Sequence, residues 1–291
     1  MPSTRNATYV AATILMHLAF SSLASPTGLG SSASLGRRYT ESINGCNPDQ
    51  TTKLNQDFAD AASFALHAYN DMSKDHAATE GDGADEDLLQ AQHLWGIVAS
   101  NNDPTNPPYK FSVRCAPNDD QECSSRTTQS FAITDARPQD GDTARQMKIC
   151  PIYFTHDWSK QSTTSHKWIP NPGRRDDSWC KPEAKFRDFS VGGLVLLHEM
   201  THLDAVTKAA SYPSVHDDDG NFDTHATEDV QGVPPDNNPP LQARNLAKIW
   251  QQGKEGDCED LTQPFRNAES LAAAALEAYA MKFCKLGNID I

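Results

Sequence analysis

Apolar residues between positions 51 and 74 fall on one helical face: Leu54, Phe58, Ala61, Ala62, Phe64, Ala65, Ala68 and Tyr69. That spacing predicts an amphipathic helix. A second helix is predicted over residues 85–98 through Leu88, Leu89, Leu94 and Trp95, and residues 101–108 form a turn-rich break. Residues 109–115, 130–134 and 146–154 partly alternate and are rich in β-branched or aromatic side chains, which predicts strands. The polar stretch 156–185, rich in Pro, Ser and Trp, reads as a long surface loop of the kind that borders a site. A helix over 191–207 is apolar on nearly every side, the pattern of a buried helix. Irregular structure is expected over 211–240, then helices at 241–252 and 267–284. In the last of these, Leu271, Ala274, Ala275, Ala278 and Tyr279 make a face of mostly small residues that reads as core. The predicted class is mixed α+β: a small sheet with a buried helix against it.

Inside that buried helix stands His198-Glu199-Met200-Thr201-His202, flanked by Leu194, Val195, Leu196, Leu197 and Leu203. Residues four apart share a helix face, so His198 and His202 present both imidazoles to one ion. Glu199 lies beside that face, where a general base is needed. This spacing is the signature of zinc peptidases. Two imidazoles and a carboxylate in a buried helix are costly unless they are paired or bound to a metal. The metal reading therefore outweighs that of a surface helix with chance polar residues.

A catalytic zinc takes three protein ligands. The long metzincin pattern does not continue, because Ala205 and Lys208 hold its glycine and third-histidine positions. His216, Asp217, Asp218, Asp219, Asp223, His225, Asp229 and Glu269 are all of ligand type. Spacing does not choose among them.

Ala226-Thr227-Glu228-Asp229-Val230-Gln231-Gly232 resembles the Gly-Thr-x-Asp block that follows His-Glu-x-x-His in the deuterolysin-like fungal secreted zinc peptidases, the aspzincins, which include lysine-specific metallo-endopeptidases. The resemblance implies Asp229 as third ligand beside His198 and His202, with Glu199 as base. Arg266-Asn267-Ala268-Glu269-Ser270 is similar to an Asn-Ala-Asp-Ser stretch that opens a later helix in those proteins, and the stretch from Met147 to Phe154 resembles their cysteine-bearing strand. The likeness covers the second half of the chain. It implies a zincin-like fold, in which the sheet edge next to the zinc helix takes substrate as an added strand. Two positions depart from the block: Ala226 replaces its Gly, and Gln231 stands where a Tyr precedes the last Gly. That tyrosine is associated with transition-state stabilisation, so Tyr212, Tyr279 and His225 are the candidates for its role. Glu269 is the alternative third ligand, since gluzincin peptidases draw a glutamate from a later helix.

The expected function is that of a secreted, zinc-dependent endopeptidase acting on proteins or peptides as a monomer. The alternative is a zincin-like protein that binds zinc without catalysis, as a scavenger or a host-surface binder. The His- and Asp-rich stretch 216–229 fits that alternative; an intact Glu199 fits the enzyme.

Residues 1–24 read as a signal peptide, with Arg5 as basic region, a short apolar stretch over 10–20, and Ser22-Leu23-Ala24 at the cleavage positions. Arg37-Arg38 would close a short propeptide over 25–38, leaving 39–291 as one zincin-like domain, with helices and strands in 39–155 and the zinc site in 156–291. The sole Asn-x-Thr sequon, at Asn6, lies in the presumed signal. Seven cysteines without a Cys-x-x-Cys pair point to disulfides in an oxidising compartment, with one thiol left over. Sequence does not fix the connectivity; a Cys115–Cys123 bond would close a short loop, and a Cys258–Cys284 bond would tie down the C-terminal helix. A net charge of −14 argues against nucleic acid and anionic membranes as partners.

Overall fold

The computed structural model describes residues 42–76, 86–99, 109–124, 130–138, 145–164, 180, 184–216, 222–230, 233, 239–251, 262–286 and 289. The stretch 1–24 read as a signal peptide, the dibasic pair, Asp217 to Asp219, and Gln231 and Gly232 lie outside them. Element order is mixed. Strand β1 (Ser42–Asn44) precedes helices α1 (Pro48–His76) and α2 (Glu86–Ala99); then come strands β2 (Phe111–Cys115), β3 (Ala132–Thr134) and β4 (Arg145–Ile149). Helices α3 (Phe186–Phe189), α4 (Gly192–Thr201) and α5 (Asp204–Ala209) follow, then a hairpin of β5 (Val215–His216) and β6 (Asp223–Thr224), and helices α6 (Pro239–Gln251) and α7 (Ala268–Cys284). The α+β class is thus observed.

The main sheet has the order β1-β2-β4-β3. β1, β2 and β4 run parallel, with Val113 opposite both Ile43 and Met147, while β3 is antiparallel and terminal. Strand β1 has no sequence signal, because its three residues Ser-Ile-Asn show too little alternation. β4 stops at Ile149 and not at 154: Pro151 lacks an N–H for the ladder, and Pro151–Phe154 form a 3-10 turn instead.

The core is one continuous cluster in which α1, α2, the sheet, α4 and α7 all take part. Phe58 of α1 meets Phe111 of β2 edge-on at 5.9 Å. The α1 face is as the periodicity predicts through Leu54, Phe58, Phe64 and Ala68, but Tyr69 is more than a third exposed, as are Leu88 and Leu89 of α2. On α7 the buried face runs through Leu271, Ala272, Ala275 and Leu276, and Ala274 faces solvent. Leu276 is larger than Ala274 and buries more apolar area, which sets the rotation of the helix. α6 begins at Pro239-Pro240, where missing amide protons cost nothing. Among the described residues, no helix is long and apolar enough to cross a membrane.

Helix α4 starts at Gly192-Gly193 because α1 and its neighbours leave no room for a side chain. A Cβ on Gly192 would lie 2.5 Å from the Asp57 carboxylate and 2.6 Å from the Ser159 carbonyl; one on Gly193 would lie 2.6 Å from the Asp60 Cβ. Asp57 and Asp60 are buried on α1 at this contact. Lys53 and the Tyr153 hydroxyl donate to Asp57, and Lys53 also donates to the Gln161 carbonyl at 3.0 Å. Asp60 accepts from Thr163 N–H at 2.8 Å and from Gln56 at 3.0 Å. Polar bonds thus fasten α1 to the turn after β4 and to Gln161, whose carbonyl also accepts from Gly192 N–H at the start of α4 at 3.2 Å. Burial drives the Asp57 carboxyl up to about 7 against the opposing pull of Lys53.

Three disulfides join Cys46 to Cys115, Cys123 to Cys150 and Cys180 to Cys284. Neither Cys115–Cys123 nor Cys258–Cys284 forms. The parallel pairing of β1 with β2 brings Cys46 to the end of β2, with Cα atoms 5.0 Å apart, and the chain turns after β2 to reach the end of β4. Cys258 takes part in none of these bonds and lies outside the described residues.

Peptide mapping without reduction is expected to recover these three cross-links, with Cys258 as the remaining thiol; a Cys258–Cys284 peptide would contradict the pairing. Removing the Cys123–Cys150 bond, which closes 27 residues, should cost about 3.5 kcal/mol in urea unfolding on the chain-entropy account. A second expectation concerns pH. Asp57 titrates higher folded, at about 7, than its ordinary 3.8, so the native state holds a proton that the unfolded chain has released, and stability is lost as pH rises through that window. Asp57→Asn should gain on the wild type by on the order of 2–4 kcal/mol between pH 4 and pH 7.5, checked by urea melts at both.

Candidate metal centre

The buried helix ends sooner than its apolar pattern implies. α4 runs to Thr201, His202 is its C-cap, and Leu203 takes an extended conformation (φ −77°, ψ 113°) before α5 begins. The cause is tertiary. The Thr201 carbonyl accepts from Thr227 N–H at 3.2 Å, replacing the amide that a continuing helix would supply. Asp204, two residues after the motif, accepts from His225 N–H at 2.7 Å and His225 Nδ1 at 2.8 Å. These bonds draw the segment after β6 alongside the end of α4 and deliver Asp229 to the two histidines.

His198 Nε2 and His202 Nε2 lie 3.1 Å apart, and Asp229 Oδ1 is 3.2 Å from the first and 3.0 Å from the second. Among the described residues, these three form the one group of His, Cys, Asp or Glu side chains placed to share an ion. His202 Nδ1 points at the Thr227 carbonyl at 2.8 Å. A carbonyl only accepts, so Nδ1 carries the proton and Nε2 offers its lone pair to the cluster. The Thr201 hydroxyl donates to the His198 carbonyl at 2.8 Å and lies 2.7 Å from the Thr227 hydroxyl. These bonds fix the His202 ring and the backbone of His198.

Three electron-rich atoms at such separations repel unless a cation lies among them. Tetrahedral zinc with bonds of about 2.0–2.1 Å sets its donors roughly 3.3 Å apart, so this donor set fits the ion in type and spacing. With protons in its place, the histidines hold them firmly. Burial acts to lower His198, but the hydrogen bond to Asp229 and the charges of Glu269, Glu199 and Asp229 override it and raise it to about 9. His202 is raised by the same contest between burial and Asp229. Asp229, although burial opposes this, is held far below the ordinary carboxylate range by its bonds to both histidines.

Glu199 is buried and accepts from the Thr134 hydroxyl at 2.7 Å. Thr134 ends β3, so the terminal strand of the sheet touches the residue next to the His198–His202–Asp229 cluster. The histidines, Glu199, Asp229 and residues Ile133 and Thr134 share one cleft of about 400 Å³, room for a side chain or a short peptide beyond a single ion.

The other expected site residues lie elsewhere. The Tyr212 hydroxyl donates to the Phe265 carbonyl at 2.9 Å. Tyr279 packs between Phe64 and Phe283 in the α1–α7 interface. His225 turns its ring to Asp204. None of the three lines the cleft. Glu269 is not in the donor cluster either: its nearer approach to His198 is 3.9 Å, to Nδ1 rather than Nε2. His216 pairs with Asp223 on the exposed hairpin.

Several residues of the site carry no sequence signal. Thr134 sits on a three-residue strand, and Asp204 and Arg266 are recognisable only from their partners. Arg266, buried, donates to the Pro213 and Ala226 carbonyls at 3.0 and 3.1 Å. Thr227 and Arg266 stand in quoted motifs, but neither is marked there as a site residue. Comparison with protein-family models, curated proteins and solved structures returns no match, so the geometry alone carries the reading of this site.

Proposed function

We propose that this chain is a secreted zinc-dependent endopeptidase of zincin-like fold, with His198, His202 and Asp229 as metal ligands and Glu199 as general base. The observation that carries it is the convergence of three donor atoms within 3.2 Å in the cleft that also holds Glu199. Three disulfides fit an oxidising compartment, in keeping with the leader read in residues 1–24.

A zinc ion supplies Lewis acidity, which polarises a scissile carbonyl and lowers the pKa of water. The remaining work falls to the chain. β3 is the terminal strand, so one side of its backbone is unused by the sheet and can pair with an extended peptide. Glu199 removes the proton of the attacking water and passes it to the leaving amine as the C–N bond breaks. Thr134 holds one Glu199 oxygen and leaves the other for the water.

A second reading has one observation in its favour. No tyrosine, lysine or arginine lines the cleft among the described residues, which suits a protein that binds zinc without turnover. Activity against casein separates the two, since only the enzyme shows cleavage that a chelator abolishes.

Glu199→Gln is expected to keep one zinc per chain and to lose cleavage by on the order of 10²–10⁴-fold, while His198→Ala loses the metal as well. Full activity in Glu199→Gln would remove Glu199 from the mechanism. Thr134→Val should lower kcat by about tenfold, the worth of a hydrogen bond to a charged group, with metal content unchanged. Thr134→Ser should restore it; equal loss in both variants would deny the hydroxyl a role.

A further inference from the structure

Glu269 is the second residue of α7, two positions after its N-cap Asn267. It lies behind the cluster, outside the cleft lining, and its side chain is largely buried. One carboxylate oxygen accepts from Val230 N–H at 2.9 Å, directly after the ligand Asp229. The other faces His198 Nδ1 at 3.9 Å. Asn267 Nδ2 braces the carboxylate at 3.2 Å.

The same stretch grips the ligand segment by its backbone. Glu228 N–H donates to the Arg266 carbonyl and Ala268 N–H to the Glu228 carbonyl, both at 2.9 Å, forming a parallel bridge of Glu228 with Asn267. Val230 N–H follows two residues after Glu228, and Glu269 takes it with a side chain where the helix cannot offer a carbonyl. Glu269 is therefore the one described side chain that bonds to the Asp229 segment and also sets its charge beside a histidine of α4.

We infer that Glu269 is a positioning residue for the metal: it fixes Asp229 relative to His198 and places a negative charge behind the His198 ring. The inference rests on the metal reading above. A carboxylate in this place sharpens ring orientation and ligand basicity, and its loss from a metal site costs 10–100-fold in affinity. Glu269 makes no contact with the reacting groups.

The test is zinc affinity by competition with a chromophoric chelator, alongside the melting temperature of the metal-free protein. Glu269→Ala should weaken zinc by about 10–100-fold while the metal-free melting temperature stays within a few degrees. Glu269→Gln, which keeps an acceptor for Val230 N–H but not the charge, should fall between Glu269→Ala and the wild type. Affinity within twofold of wild type in Glu269→Ala overturns the inference and leaves the metal reading intact. So does a loss of affinity matched by a large fall in metal-free melting temperature, since that marks mere structural damage. A wild-type protein that binds no zinc overturns both.

Discussion

The Thr201 carbonyl at the end of α4 accepts its hydrogen bond from Thr227 N–H, and not from the next turn of its own helix. A buried carbonyl must find a donor, and here the donor belongs to the segment that bears the third donor atom. Ending the helix and placing Asp229 are thus one event. The same exchange lets His202 cap the helix while its ring turns Nδ1 to the Thr227 carbonyl. Had the helix continued, the motif would present two imidazoles to solvent with nothing to complete the set.

That arrangement needs α4 to be immobile along its axis, and its N-terminal end supplies the constraint. Gly192 and Gly193 let the helix start against Asp57 and Asp60 at distances no side chain allows. Two carboxylates buried there are unfavourable in themselves. They are offset by Lys53, Tyr153, Thr163 and Gln56, and by lying near a helix N-terminus, where negative charge is favoured. The outcome is a helix held at one end by polar packing and at the other by a backbone exchange, with the apolar face of Leu196, Leu197 and Met200 buried between.

Much of this was legible in the sequence. Helical periodicity found α1, α2, α6 and α7 to within a few residues, and the His-Glu-x-x-His spacing brought His198, Glu199 and His202 to one cleft. Asp229 came from a resemblance in a short block, and the structure sets it against both histidines. What escaped was what depends on partners distant in the chain. Thr134 reaches Glu199 across 65 positions, Cys46 reaches Cys115 across 69, and the break at Leu203 follows from a donor 26 residues on. Local pattern carries no trace of such partners, because any hydroxyl or carboxylate would look the same. Glu269 shows the converse: its residue type suited a ligand, while its position, in the first turn of a helix whose N-cap Asn267 pairs with Glu228, sets it behind the ring.

The donor set is unequal in the rigidity of its parts. His198 and His202 ride on a packed helix, whereas Asp229 stands in a segment with no regular structure, more than half exposed at its side chain. Exposed carboxylates in such segments normally move, and ordering one costs conformational entropy. Here the order is imposed from outside, by Arg266 on the Ala226 carbonyl, by the Glu228–Asn267 bridge and by Glu269 on Val230 N–H. All three grips come from residues 266–269, so the beginning of α7 sets the distance between the third donor and the helix. A donor set held at 3.0–3.2 Å by the chain's own bonds meets its ordering cost in folding. The precision of this site therefore depends less on the motif that reveals it than on a helix start some seventy residues later, which holds none of the donor atoms itself.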